Sequence, residues 1–415
     1  MNSWIAALTA LCLATPAAAE TLRDAIAAAY ATNPQLAAAR ARQEALAEAA
    51  EQARALARPA VSAAAAAGYD RLGQGRAGSA SVTAALPIWT GGRVRSAVRA
   101  ADEDVAAGAE GLRDAEAAIL ETVVVAYADL LYSQQAVEVA RVGIERLDAQ
   151  VAEARSRFTL GQATRTDVAQ LEAQRATVVA NLADAEGALA TAGAAYRAAV
   201  GRDAGALSAE IAAPGALPPD RDAARRAAEA GNPLLLRQRR IVQASAARIE
   251  QARAERAPAL DLAGDYGRGA RLEGGDLRSF DASASVGLAL RLPLLTGGLI
   301  PSRIRQAEAT SRAERFQADA AARDAVRAAD SAWASLTAAQ ARLRANIAGL
   351  ASADLALKGV RAEYGFGLRS TIDILVADQS FRGAQLAVAS ARADVLVAQA
   401  ALLRATGLLG PNAYG

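Results

Sequence analysis

Two aspartates, Asp167 and Asp373, each sit behind the same short pattern. An aromatic residue (Phe158, Tyr364) is followed three positions later by a glycine (Gly161, Gly367), and the aspartate falls in the first turn of the helix expected next. A carboxylate there is favoured by the positive end of the helix dipole, so capping is a sufficient role for both on spacing alone. Little else in the chain is equipped for covalent chemistry. There is no histidine, and the only cysteine, Cys12, lies in the first residues. That leaves no His base, no His metal ligand and no thiol nucleophile beyond Cys12. The sole lysine is Lys358, and no G-x-x-x-x-G-K-[ST] phosphate loop occurs. No enzyme activity and no cofactor are expected, and the interest moves to what positions the two turns.

The turns are one pair of landmarks among five. Asn33-Pro34 recurs as Asn232-Pro233, and Arg58-Pro59-Ala60-Val61 as Ala257-Pro258-Ala259-Leu260. Leu86-Pro87 with Thr90-Gly91-Gly92 recurs as Leu292-Pro293 with Thr296-Gly297-Gly298. Phe158-Thr-Leu-Gly161 with Thr166-Asp167-Val168 recurs as Tyr364-Gly-Phe-Gly367 with Ile372-Asp373-Ile374. Five landmarks in one order mark a tandem duplication of a unit of about 200 residues. The expected copies are residues 20–200 and 223–407, joined by a linker over 201–222 and followed by a tail over 408–415. Each copy reads as short helix, medium helix, strand, strand, very long helix, turn and return helix.

Residues 1–19 read as a secretory leader. The run from Ile5 to Ala14 is too short to span a bilayer, and Ala17-Ala18-Ala19 is a small-residue cleavage pattern that leaves Glu20 first. Leu11 before Cys12 argues against lipid attachment. Net charge is +2, which gives no nucleic-acid footprint. Hydrophobic content is 53% but aromatics only 4%, so the core is alanine-rich, as in long helices in close contact. No later stretch reaches about 18 continuous apolar residues, and no transmembrane helix is expected.

Strands are expected at about 60–70, 79–87, 259–267 and 280–293. The clearest alternates Phe280, Ala282, Ala284, Val286, Leu288, Leu290 and Leu292 against a largely polar face. Alternation fits a membrane β-strand and equally a strand over a soluble core; the leader and the lack of other core material favour the membrane. Long helices are expected at about 92–157 and 298–363, each of roughly 100 Å, with return helices at about 166–200 and 371–406. From Val98 to Phe158 an apolar seam advances by three and four with one stutter, the pattern of a coiled coil. Four membrane strands cannot close a barrel, because the smallest barrels use eight and lipid does not tolerate open edges. A membrane-inserted chain must therefore be an oligomer.

The order and duplication of these motifs, over essentially the whole chain after the leader, resemble the TolC-like outer-membrane efflux proteins. The resemblance implies a mixed fold: a membrane β-barrel plus a long α-helical coiled-coil barrel. It implies a homotrimer with 12 strands and a 12-helix periplasmic tunnel, and a belt holding the 201–222 linker and the tail. It implies a passive exit duct in the outer membrane of a Gram-negative bacterium, embedded in outer-membrane lipid. The partners would be a periplasmic adaptor and an inner-membrane RND or ABC transporter, serving multidrug efflux or type I protein secretion. Pro59, Pro87, Pro258 and Pro293 would mark the joints between barrel and helices, and Gly161 and Gly367 the tip turns. The periplasmic gate would be Thr166, Asp167, Tyr364 and Arg369, with Arg369 bridging to Thr166 and Asp167 of a neighbouring chain. Asp373 would charge the pore constriction. Val376 stands where the family often carries a second carboxylate, and Asp378 lies on another helical face. A rival reading is a periplasmic coiled-coil adaptor; it predicts one hairpin and no amphipathic membrane strands.

Overall fold

The computed structural model describes residues 19–70, 75–208, 214–215, 217–271 and 281–414. Cys12, most of the leader and Phe280 lie outside them. The order of elements is α1 (Leu22–Thr32), α2 (Pro34–Ala55), β1 (Ala60–Asp70), β2 (Gly75–Trp89), α3 (Arg93–Thr159), α4 (Arg165–Val200), α5 (Arg221–Gly231), α6 (Pro233–Ala254), β3 (Ala259–Arg271), β4 (Asp281–Arg291), α7 (Leu299–Gly365) and α8 (Thr371–Ala405). The second six repeat the first six, and α3 and α7 are both 67 residues long. The chain divides into two compact units.

One unit comprises residues 38–113 and 233–324 and contains the sheet. The four strands are antiparallel in the order β1-β2-β3-β4. Their register gathers Val61, Ala63 and Ala65 of β1, Ala80, Val82, Ala84 and Leu86 of β2, Leu260, Leu262 and Tyr266 of β3, and Ala284, Val286, Leu288 and Leu290 of β4 on one face. Paired residues project to the same side, so an apolar face runs across all four strands, interrupted towards one end by Arg268 of β3, which pairs with Ala80 and Ala282. It is open: Val286 is 81% exposed and Leu290 69%. The opposite face is small and polar, with the Ser62 and Thr83 hydroxyls 2.7 Å apart. Strict alternation would put Trp89 on that polar face. A bulge between Pro87 and Trp89 returns it to the apolar side, opposite Leu260.

Several strand limits differ from those read in the sequence. β2 starts at Gly75 and runs on to Trp89, β3 continues to Arg271, and β4 stops at Arg291. Glycine-rich flanks look like loop in a sequence, but Ala77 still pairs with Arg271 and Gly78 with Ala270. The Thr-Gly-Gly joints have a backbone cause: Gly91, Gly92, Gly297 and Gly298 all have positive φ, at 61°, 87°, 55° and 84°. Two successive left-handed residues let the chain turn from strand into long helix, and glycine alone adopts them without cost.

The other unit comprises residues 1–37, 114–232 and 325–415. Its main core joins Ile26 of α1, Leu120, Val123 and Tyr127 of α3, Tyr196 and Val200 of α4, and Leu396 and Leu403 of α8. Leu409 and Tyr414 from the C-terminal tail are buried in it too. A second cluster packs α5 (Ala224) on α7 (Leu336, Ala339) and α8 (Leu402), with Trp333 against it. The repeated asparagines cap helices here. Asn33 Oδ1 accepts from Gln35 and Leu36 N–H while its amide donates to Ala199 C=O; the Asn232 amide donates to Ala405 C=O. Asn-Pro thus ends one helix, starts the next and ties both to the return helix. In the α3–α4 hairpin the seam residues Ser133, Val137, Ala140, Leu147, Val151 and Ala154 are all buried. In α7 the same seam is buried at Leu336, Ala339 and Leu357 but only half-buried between, where the Asn346 amide donates to Ala387 C=O.

Candidate functional site

Both hairpin turns close in the same way. In the first, Gln162 N–H donates to Arg157 C=O (2.8 Å) and Gly161 N–H to Phe158 C=O (3.0 Å). In the second, Leu368 N–H donates to Glu363 C=O and Gly367 N–H to Tyr364 C=O, each at 2.9 Å. These are Schellman motifs, and their left-handed residues are Gly161 (φ 71°) and Gly367 (φ 75°). The aromatic-x-x-Gly spacing is therefore a helix stop, with the aromatic on the last full turn.

Both return helices open on a capping box, with different hydrogen bonds. Thr164 caps α4 reciprocally: Asp167 N–H donates to Thr164 Oγ1 (3.2 Å), and Thr164 N–H (2.9 Å) and hydroxyl (2.7 Å) donate to Asp167 Oδ2. At α8, Ser370 N–H and hydroxyl donate to Asp373 Oδ2 at 2.9 and 2.8 Å, while Asp373 N–H goes to the Ser370 carbonyl. These hydrogen bonds hold both carboxylates below the usual aspartate range. Thr371, the first residue of α8, adds a smaller lowering influence on the Asp167 carboxyl, so α8 approaches the cap of α4 within one chain.

Tyr364 lies beneath the Arg157 guanidinium, 4.8 Å from its ring centre, a cation–π contact between α7 and α3. Arg369 Nε donates to Glu363 Oε2 at 2.6 Å across the second turn. Thr166 is exposed on the first turn of α4 and Asp167 and Asp373 are half-buried. The structure thus gathers Tyr364, Arg157 and Thr371 around one cavity of about 370 Å³, lined also by Arg146, Arg361, Leu171 and Ile374; Thr166, Asp167 and Arg369 do not line it. Pro59 and Pro258 stand immediately before β1 and β3, Pro87 lies within β2 beside its bulge, and Pro293 follows β4.

One ionic site escaped the sequence reading. Asp378, noted there only as displaced from the expected second carboxylate, is fully buried. Its Oδ2 accepts from Arg382 Nε at 2.8 Å, and its Oδ1 is 3.5 Å from Arg361 of α7. Arg382 packs on Gly143 of α3, where an added Cβ would fall 2.9 Å from Arg382 Cδ. The spacing of Asp378 and Arg382, four apart on one helix, was the available signal.

The sequence profile described as "Outer membrane efflux protein" matches residues 25–202 and 224–408. The chain belongs to the outer membrane efflux protein family. It is 34% identical over 328 residues to the outer membrane efflux protein BepC of Brucella suis biovar 1 (strain 1330), covering 79% of this chain and 72% of that one. It is 28% identical over 309 residues to the outer membrane protein TolC of Escherichia coli (strain K12), covering 71% and 62%. Among solved structures, the outer membrane protein VceC of Vibrio cholerae superposes with a TM-score of 0.75 over 93% of this chain and 96% of that one, at 23% identity. The efflux-protein fold therefore extends over both copies of the repeat.

Proposed function

We propose that the chain forms a passive outer-membrane efflux channel, an exit duct for cargo delivered by an inner-membrane pump through a periplasmic adaptor. The observation that carries this is the open four-stranded sheet with a wide, exposed apolar face in a chain of this family. An apolar face of this extent needs lipid against it, and strands of 11 to 15 residues are long enough to cross a bilayer at a tilt. The edges β1 and β4 need partners, and three copies pairing β4 with the next β1 give a closed barrel of 12 strands with the small polar residues inside. The rival adaptor reading provides no use for this sheet.

In this reading Thr166, Asp167, Tyr364 and Arg369 act at the periplasmic gate. Within one chain Asp167 is already held by Thr164, and Arg369 by Glu363. A bridge from Arg369 to a neighbouring Thr166 and Asp167 would therefore exchange Glu363 for the neighbour, an exchange between two similar ion pairs. That makes a gate of modest strength, which docking of an adaptor could shift. Asp373 contributes the constriction charge and attracts cations. With Val376 exposed and Asp378 paired inside the protein, a single carboxylate ring is expected. Cargo is multidrug efflux substrates or proteins of type I secretion, with an RND or ABC pump accordingly.

The test is the mass of the detergent-solubilised particle by native mass spectrometry. Three chains support the duct; a monomer that stays soluble without detergent refutes it.

A further inference from the structure

The apolar face of the sheet carries a charge. Arg268 of β3 is exposed, and it pairs with Ala80 of β2 on one side and Ala282 of β4 on the other. Paired side chains share a face, so Arg268 projects with Val82 and Tyr266 and away from the small polar residues behind them. The neighbours that the register gives it there, Tyr266, Val82, Ala80, Ala282 and Ala284, include no carboxylate. Asp265, the nearest acid along β3, lies on the opposite face, where it accepts from the Ser285 hydroxyl. Beside Arg268 the small side chains of Ala63, Ala65 and Ala80 leave an open cavity of about 350 Å³, lined also by Val82, Tyr266 and Arg268 itself.

The depth of this place follows from the strands. At one end of the sheet they continue into α2, α3, α6 and α7; at the other, β1 turns back into β2 and β3 into β4. Arg268 is near the turning end. Leu260, opposite Trp89 at the helix end, is eight residues away (268−260). At about 3.3 Å per residue and a tilt of about 40°, that is roughly 20 Å along the membrane normal, in a lipid-facing band about 25 Å tall. With Trp89 at the periplasmic interface, where its amphipathic ring is favoured, Arg268 comes within snorkelling reach of the outer-leaflet headgroups. We infer that Arg268, Tyr266 and the alanine-lined cavity form a binding site for a phosphorylated, acylated lipid of the outer leaflet. The guanidinium takes the phosphate and the cavity takes part of an acyl chain. This rests on the outer-membrane duct reading. The arginine fork matches two phosphate oxygens at once, and a lipid-facing arginine is costly to keep without such a partner. All the residues of the site come from one chain, so each chain carries its own.

The experiment is native mass spectrometry of the protein purified from outer membranes, washed free of lipid in detergent and titrated with diphosphoryl lipid A. We expect one lipid per chain to bind ahead of weaker adducts. Arg268→Gln should weaken that binding about tenfold through loss of the charge-assisted pair. Arg268→Lys, which keeps the charge without the fork, should fall between. Arg291→Gln, opposite Ala259 at the helix end of the sheet, should bind like wild type. Lipid A stripped of its phosphates should bind wild type and Arg268→Gln alike, at the weaker level. Inorganic phosphate, which has no chain for the cavity, should not displace the lipid. If Arg268→Gln does not assemble, Arg268→Lys carries the test. Phosphorylated lipid held equally by wild type and the Arg268 variants, or displaced by inorganic phosphate, would overturn the inference. The same spectra weigh the particle: three chains whose lipid binding ignores Arg268 would refute this site alone, whereas a monomer soluble without detergent would refute the duct and the site with it.

Discussion

The two hairpins descend from one ancestral unit, yet they are held together by different physics. The α3–α4 hairpin is laced on its surface: Arg155 with Glu172, Arg141 with Glu186, and Arg175 with Asp148 are all ion pairs between exposed side chains. Its seam beneath them is buried from Ser133 to Ala154 except at the half-buried Ile144. The α7–α8 hairpin has Arg342–Asp394 as its exposed pair between helices and a thinner seam, but it carries Asp378, Arg382 and Arg361 as an internal ionic site. At the positions equivalent to Asp378 and Arg382, the first copy has Glu172 and Ala176. Surface pairs contribute little because water competes for both partners. A buried pair is costly to form and more costly to break, because the survivor is stranded in low dielectric. Duplication thus preserved the backbone plan while letting one hairpin concentrate its specificity at a single place.

The largest expected effect breaks that place. Asp378→Ala strands Arg382 and should cost about 3–5 kcal/mol, whereas Asp378→Leu with Arg382→Met, both apolar, should recover most of it. Thermal midpoints of the detergent-purified protein measure both. If the single and double variants were equally unstable, packing rather than charge would explain the site.

Next comes the contrast between the helix starts. Thr164→Ala removes a reciprocal cap and should cost about 1 kcal/mol, while Ser370→Ala, which loses only a donor to Asp373, should shift the midpoint less. The reverse order would mean that the two caps are not distinguished by their hydrogen bonds. The same caps set a pH dependence. Asp167 and Asp373 have folded pKa values below the ordinary 3.8, so their contribution is complete above that value and disappears as pH falls through the lower folded one. Stability from this source should be flat from pH 8 to 5 and decline only in strong acid. A decline centred near pH 6 would assign the titration to other groups.

The smallest effect is at the surface: Arg155→Ala should move the midpoint by no more than about 2 °C. A larger loss would show that the lacing on α3–α4 is more than decoration.

Much of this was legible in the sequence because the signals are local and repeated. Asn-Pro, Thr-Gly-Gly and aromatic-x-x-Gly each encode a backbone event, namely a cap, a left-handed pair and a Schellman stop, and each occurs twice. Strand faces were readable from period-two alternation. Strand ends were not, because glycine is silent about whether its backbone pairs. The side of Trp89 was hidden as well, since a bulge breaks the alternation that the reading relied on. At the tip the sequence supplied the residues but not their partners. The Arg157–Tyr364 stack joins residues far apart in the chain, and no pattern within one helix reveals it. For Asp378 the i, i+4 spacing to Arg382 was visible in the sequence, but its burial and its approach to Arg361 on another helix were not.

The central claim is a passive duct with its gate at the helical tip, and single-channel conductance in a planar bilayer tests it most directly. Wild-type protein should give a small, cation-preferring conductance. Tyr364→Phe should change it little, because the ring keeps its contact with Arg157, and Tyr364→Phe combined with Arg369→Ala should raise it several-fold. Folded, inserted protein that conducts no ions would contradict the duct. Channels indifferent to the double substitution would contradict the gate.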